Sequence, residues 1–181
     1  IPKELYDSKH KKTAVADYLL RNFAKQLERH SFQAHGSGKS GIIQVTRCGQ
    51  EVLERTACEI DEKTGDVTVR FEVGFPARGR TIQAGELVKI LYQYLPACVE
   101  KALYYKNMDR NAVKQAAELS VDQEYIREQL KKEGLVAFVA DGSILPRESG
   151  VSQRPMKDAV PFASPDSMRI TMKLPYKGML T

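Results

Sequence analysis

The sequence predicts an α+β fold, in which an antiparallel β-sheet packs with several helices and a separate strand closes the chain. Apolar residues recur at helical spacing in residues 9–27 and alternate with polar residues in residues 66–73. A proline-rich stretch, residues 141–165, then precedes one further alternating segment at residues 168–174. Helices mixed with antiparallel strands in this way are typical of the α+β class.

The composition indicates an ordinary globular protein. The 181 residues suit one domain with room for a piece of a second, and 42% of them are hydrophobic while 28% are charged. No apolar run reaches the ~18 residues of a transmembrane helix, so no membrane partner is expected. Because the chain starts without methionine and ends directly after a strand-like segment, we expect it to be a fragment of a longer protein.

The titratable residues do not indicate a catalytic or a metal site. Cys48, Cys58 and Cys98 lack CxxC spacing, which favours free thiols in a reducing cytoplasm. The histidines lie in the first fifth of the chain, with no cysteine or carboxylate pair at ligand spacing nearby. We therefore predict no catalytic residue and no metal site. Asp141 is the acid best placed for a functional site, because it follows an apolar run at residues 135–140 that predicts a buried strand. An ordinary Asp-Gly turn explains an aspartate at this position equally well.

After the helix predicted over residues 9–27 comes the sequence GSGKSG, residues 36–41, which we call the first glycine loop. Glycine amides beside a lysine are typical of loops that bind phosphate groups. The nucleotide-binding pattern requires a glycine where this chain has Gln33, and it requires a strand before the loop and a helix after it, the reverse of the order here. An anion site and a plain flexible loop both remain open. The candidate phosphate contacts are Gly36, Ser37, Gly38, Lys39 and Ser40.

Residues 50–60 and 67–73 predict an antiparallel hairpin, with residues 42–46 as a third strand and Arg47 directly after it. The sequence GFPARGRT, residues 74–81, follows the hairpin; we call it the second glycine loop. Its Arg78 and Arg80 stand among glycines, which suits phosphate, although a tight turn with solvent-facing arginines is an equal alternative. If the third strand joins the sheet, both glycine loops lie on one rim.

Several helices and one long loop complete the prediction. Residues 86–95 predict a helix, Pro96 the start of a second, and Asp109 and Ser120 the caps of two more. The proline-rich stretch holds four of the eight prolines, so no long regular element is expected there. Its interspersed apolar residues predict an ordered loop, either functional or a simple crossover.

Motifs along nearly the whole chain resemble the family of predicted ATPases of the ABC class. They are ADYLLR (16–21), GSGKSG (36–41), GQEVLERTA (49–57), VGFPARGRTI (73–82), GLVAFVADGSILPRESGV (134–151) and AVPFASPDSMRITMKLP (159–175). By this resemblance, residues 1–140 are an accessory domain, residues 141–165 an ordered loop, and residues 166–181 the start of the ATPase core. The Walker A, signature and Walker B motifs would follow this chain in the parent protein and would bind ATP and Mg²⁺ there, so no cofactor is expected within residues 1–181.

The resemblance also implies partners. The parent would be a cytoplasmic ATPase whose ATP sites lie between two subunits, so a homodimer and the rest of its own chain are expected partners. Family members are linked with RNA binding, and a net charge of +5 permits an RNA or other polyanion partner. The expected contacts are Lys39, Arg47, Arg78 and Arg80. The alternative is a structural and dimerisation module without a nucleic-acid role.

Overall fold

We describe the fold from a computed structural model that covers residues 1–181. Two compact units are present, Ile1–Ala117 and Glu118–Thr181. The α-helices are α1 (Lys9–His30), α2 (Ala84–Lys89), α3 (Leu95–Leu103) and α4 (Arg110–Lys132). The strands form four antiparallel pairs. They are β1 (Ile43–Gln44), β2 (Cys58–Ile60), β3 (Val67–Val69), β4 (Glu72–Val73), β5 (Ala77–Arg78), β6 (Thr81–Ile82), β7 (Met172–Leu174) and β8 (Gly178–Leu180). These elements confirm the predicted α+β class, and none of the helices could span a membrane.

Helix α1 organises the first unit. The predicted apolar face is correct, because Leu20, Phe23 and Leu27 are all at most 1% exposed. Phe23 and Leu27 belong to a cluster with Ile43 of β1 and Cys98 of α3. Leu20 belongs to a second cluster that also contains residues of β2 and α4. Full burial of each such side chain stabilises the fold by about 1.5–3 kcal/mol, so α1 fixes the positions of both strand pairs that flank it.

The predicted hairpin and third strand are present but shorter than expected. Strand β2 pairs with β3, and β1 pairs with β4 in the register Ile43↔Val73 and Gln44↔Glu72. Extending that register would place Thr46 opposite Arg70. Instead, the Arg70 amide donates to Ala57 O at 2.9 Å, on the side of β2. The β1–β4 ladder therefore stops after two residues.

The helical region differs from the prediction at two points. Helix α3 begins at Leu95 with Pro96 in its first turn, as expected, but a π-helical turn, Ile90–Tyr94, joins α2 to α3 without a break. The wide turn immediately before Pro96 accommodates a residue that lacks an amide donor. The expected cap at Asp109 is correct, since its Oδ1 accepts the Ala112 amide at 3.1 Å. Ser120, by contrast, lies inside the uninterrupted helix α4, where it is 7% exposed.

In the second unit the expected strand at residues 135–140 is wrong, because no partner strand pairs with it and Val136 is 99% exposed. An apolar run without a ladder partner leaves its backbone in irregular conformation. The proline-rich stretch contains no helix or strand, as expected. The final alternating segment forms a strand only at Met172–Leu174, which pairs with β8 as a hairpin.

Candidate functional site

The structure brings the two glycine loops together. The Gly41 amide donates to Gly74 O at 2.8 Å, and the Gly74 amide donates to Ile42 O at 2.8 Å. The Ser37 amide donates to Ala77 O, also at 2.8 Å. These bonds tie the turn between α1 and β1 to the segment between β4 and β6. Both loops therefore share one edge of the first unit.

Ser40 is the centre of this contact. It is only 9% exposed, and its hydroxyl donates to Ser37 O at 2.6 Å. The Ala77 amide donates to the same hydroxyl at 3.0 Å. The Ser37 hydroxyl also donates to Ala77 O, at 3.1 Å. Both serines of the first glycine loop are thus bonded to protein groups, although only Ser40 is buried.

Two glycines are required by the close approach of the loops. A Cβ atom on Gly74 would lie 2.0 Å from Lys39 O, and one on Gly36 would lie 2.3 Å from the Ser40 Cβ. Real Cβ atoms do not approach a carbonyl oxygen so closely, so Gly74 is fixed by packing. Close packing between the loops therefore explains why glycine occupies positions 36 and 74, which the sequence alone does not reveal.

The side chains of Lys39, Arg78 and Arg80 remain exposed and form no ion pair or hydrogen bond. Nearby amides of Gly36, Gly38 and Lys39 also have no protein acceptor. We call these three cations and the two glycine loops the two-loop rim. Arg70, by contrast, pairs with Glu59. The rim therefore offers three unneutralised cations beside free backbone donors.

Arg47 lies elsewhere. It lines a cavity of about 770 Å³ together with the C-terminal end of α1 and residues 70–72. We call this cavity the trough. None of the three rim cations lines it. The structure thus groups three of the four expected phosphate contacts and places the fourth in a different surface.

The first glycine loop does not fit ATP and Mg²⁺. A nucleotide-binding loop uses consecutive amides for the phosphates and a serine hydroxyl for the metal. Here the amides of Ser37, Ser40 and Gly41 bond within the two loops, and the Ser40 hydroxyl is buried. No group of three or more histidine, cysteine or acidic residues is arranged to hold a metal ion either.

Sequence reasoning missed a buried ionic cluster. Asp17, which is 4% exposed, accepts from Arg21 Nε at 2.5 Å and also from Arg55 Nη1. Both guanidinium groups also donate to Glu51 O, so the cluster holds residues 51–55 against α1. An aspartate four residues before an arginine resembles an ordinary surface pair in sequence, and its partner 38 positions away gives no local signal.

Burial also governs the thiols near this cluster. It raises the pKa of the Cys58 thiol to about 12. It also raises the pKa of Cys48, with the Asp17 carboxylate acting in the same direction. A thiol held protonated is a poor nucleophile. The cysteines are free, and these two have no feature of a catalytic nucleophile.

Two aspartates of the second unit form hydrogen bonds that join segments distant in the sequence. The Ser164 amide and hydroxyl both donate to Asp141 Oδ1 at 2.6 Å, and these bonds lower the pKa of the Asp141 carboxyl. Asp122, which is 3% exposed, accepts the amides of Tyr176 and Lys177, each at 2.9 Å, in the β7–β8 turn. Asp141 thus anchors the proline-rich stretch, and Asp122 anchors the hairpin turn.

Two family models match the chain. One, described as a P-loop domain, matches residues 109–181. A model described as the N-terminal region of ATPases of the ABC class matches residues 1–106, more than half of the chain. The chain therefore belongs to the ABC-class ATPases, as the sequence motifs indicate. None of the curated proteins matches it.

Proposed function

We propose that this chain is the RNA-binding accessory part of an ABC-class ATPase, and that it contacts the phosphate backbone through the two-loop rim. The family matches support an accessory part of an ATPase. In the parent protein, ATP and Mg²⁺ would bind to motifs outside residues 1–181, and two subunits would pair their ATP sites.

The observation that supports this proposal is that Lys39, Arg78 and Arg80 lie on the same rim and that none of them pairs with a carboxylate. A cation already paired with a carboxylate gains little binding free energy from a phosphate. An unpaired exposed cation that binds a phosphate releases a counterion from the nucleic acid, which favours binding. Arginine adds a planar fork of donors that matches phosphate oxygens. The free amides of the first glycine loop supply further donors to the same anion. The proposal does not depend on Arg47.

Such binding would be dominated by the phosphate backbone. It should tolerate sequence changes in the RNA, because contacts to phosphate carry no base information. It should also weaken steeply as salt rises.

The test replaces Arg78→Ala and Arg80→Ala together and measures affinity for an oligouridine RNA across a salt titration. We expect weaker binding and a salt slope reduced by about one unit per lost phosphate contact. The control, Lys131→Ala with Lys132→Ala, removes the same charge from exposed positions at the end of α4. Wild-type affinity and slope in the rim variant, or equal losses in both variants, would refute the proposal.

One observation favours the alternative of a structural and dimerisation module. Val88, Leu91 and Tyr92 lie on one face of α2 and the π-helical turn, and they are 51%, 41% and 76% exposed. Apolar side chains at this spacing suit contact with another protein surface. Under this alternative, RNA binding does not exceed that of a similarly charged control, and Tyr92→Ala lowers self-association in sedimentation experiments.

A further inference from the structure

We propose that the trough binds an extended peptide, which adds as a strand to residues 45–47. The site is distinct from the two-loop rim, and the inference does not depend on RNA binding. It follows from the unpaired backbone, the exposed aromatic rings and the mixed charges that surround the cavity.

The unpaired backbone comes from the interrupted β1–β4 ladder. In antiparallel pairing, Gln44 bonds with Glu72 and the next bonded pair would be Thr46 with Arg70. The Arg70 amide donates to Ala57 O instead of to Thr46 O, and no backbone hydrogen bond joins Thr46 to Arg70. The N–H and C=O groups of residues 45–47 accordingly form no hydrogen bond with the protein. An incoming strand would satisfy them, as in other cases of strand addition to an open edge.

The space beside this edge suits a short peptide. The trough measures about 770 Å³, and both residues 45–47 and residues 70–72 line it. Specific ligand cavities fall in the range of about 300–1,000 Å³. The opening therefore lies between the two segments that the interrupted ladder leaves apart.

Two aromatic rings provide apolar contact in the trough. Phe32 is 60% exposed and Phe71 is 39% exposed, and both line the cavity. Phe32 has a φ of 63°, a left-handed conformation that is strained for a bulky residue. Its amide donates to Gly41 O at 2.7 Å, which holds it in place. A strained residue that also exposes a large ring is a feature of binding sites more than of stable turns.

The charges favour a peptide over a polyanion. Arg47 and Glu28 both line the trough, and neither forms an ion pair. Glu72 adds a second carboxylate, which accepts from Gln44 Nε2 at 2.7 Å. Because Arg70 also lines the trough, its wall has two carboxylates and two guanidinium groups and no net positive charge to attract a phosphate chain. A peptide with one acidic and one basic side chain could instead pair with Arg47 and Glu28. The occupant is thus an extended segment with a large apolar side chain and charges of both signs.

The experiment pans a phage-displayed heptapeptide library on the 181-residue chain and resynthesises the enriched peptides with a fluorescein label. Fluorescence polarisation then gives the Kd for wild type and for Thr46→Pro and Phe32→Gly. Thr46→Pro removes an amide that bonds nothing in the protein, and Phe32→Gly removes a ring from a position whose φ favours glycine. Each variant should therefore fold, which circular dichroism checks. Arg78→Ala serves as the control outside the trough.

We expect each trough variant to raise the Kd at least about tenfold and the control to leave it unchanged. Peptides N-methylated at alternate residues should lose binding, because they lack strand-pairing donors, and bound peptide should slow amide exchange at residues 45–47. Failure to enrich any peptide, or binding insensitive to both trough variants, would overturn the inference. Loss of oligouridine RNA binding in the trough variants without peptide binding would also overturn it and assign the trough to nucleic acid.

Discussion

Replacing the buried carboxylate of Asp17 tests how α1 holds residues 51–55. Asp17→Ala removes the acceptor shared by Arg21 and Arg55 and leaves two guanidinium groups without it. The side chains of Asp17, Arg55 and Arg21 are 3%, 14% and 34% exposed, respectively. The cluster is therefore more buried than a surface ion pair, although Arg21 remains partly in contact with water.

The expected magnitude follows from that intermediate exposure. Each hydrogen bond to a charged group contributes about 1.5–3 kcal/mol when its partners are withdrawn from water. Arg21 is about one-third exposed and recovers much of its hydration after the substitution, whereas Arg55 recovers less. We expect Asp17→Ala to lower the free energy of unfolding by about 3 kcal/mol, near the lower limit for breaking a buried ion pair.

Urea denaturation followed by far-ultraviolet circular dichroism measures this change. Glu54→Ala is the matched control, because the Lys9–Glu54 pair spans 3.8 Å between side chains that are 83% and 65% exposed. That control should cost at most about 0.5 kcal/mol. Combining Asp17→Ala with Arg55→Ala should cost less than the sum of the single changes. A loss in Asp17→Ala no larger than in Glu54→Ala would refute the structural role of the cluster.

Three further outcomes are expected. Gly74→Ala should destabilise the first unit by about 2 kcal/mol or more in urea denaturation, because its Cβ would overlap a backbone carbonyl of the first glycine loop; an unchanged midpoint would show that the loops separate easily. The lowered pKa of Asp141 means that its carboxylate stabilises the folded state above its ordinary pKa, and this contribution disappears as the pH falls through the folded value. Ser164→Ala should therefore reduce the stability lost between neutral and acidic pH, and an unaltered pH profile would contradict this. At pH 8, iodoacetamide should label Cys48 before Cys58, since the raised pKa of about 12 keeps the latter thiol protonated; mass spectrometry after brief exposure checks the order.

The spacing of apolar residues predicted the elements whose formation depends mainly on residues close together in the sequence. The apolar spacing in α1 identified its buried face, and alternation identified the segment that contains β3 and β4 and ends at the second glycine loop. The neighbouring positions of those loops followed from pairing residues 42–46 with residues 67–73. The rim geometry was thus foreseeable, although the bonding of Ser40 to Ala77 was not, because a serine in a glycine loop suits either solvent or packing.

The remaining features depend on contacts between distant residues. The run at residues 135–140 has the composition of a strand, but a strand exists only where another segment pairs with it. The trough arises because one amide, that of Arg70, bonds with Ala57 instead of continuing the β1 ladder. Neither event leaves a trace in residue spacing. The partner of Asp17 in the segment around Arg55 is hidden for the same reason.

The Asp122 contact also has a consequence for how the second unit meets anions. Two successive amides, those of Tyr176 and Lys177, converge on one carboxylate in the manner of a nest that cradles an anion. Here the anion is supplied by α4 itself, so the nest is already satisfied from within the chain. Phosphate from solution would have to displace the Asp122 carboxylate, which the fold holds beside the two amides at a high effective concentration.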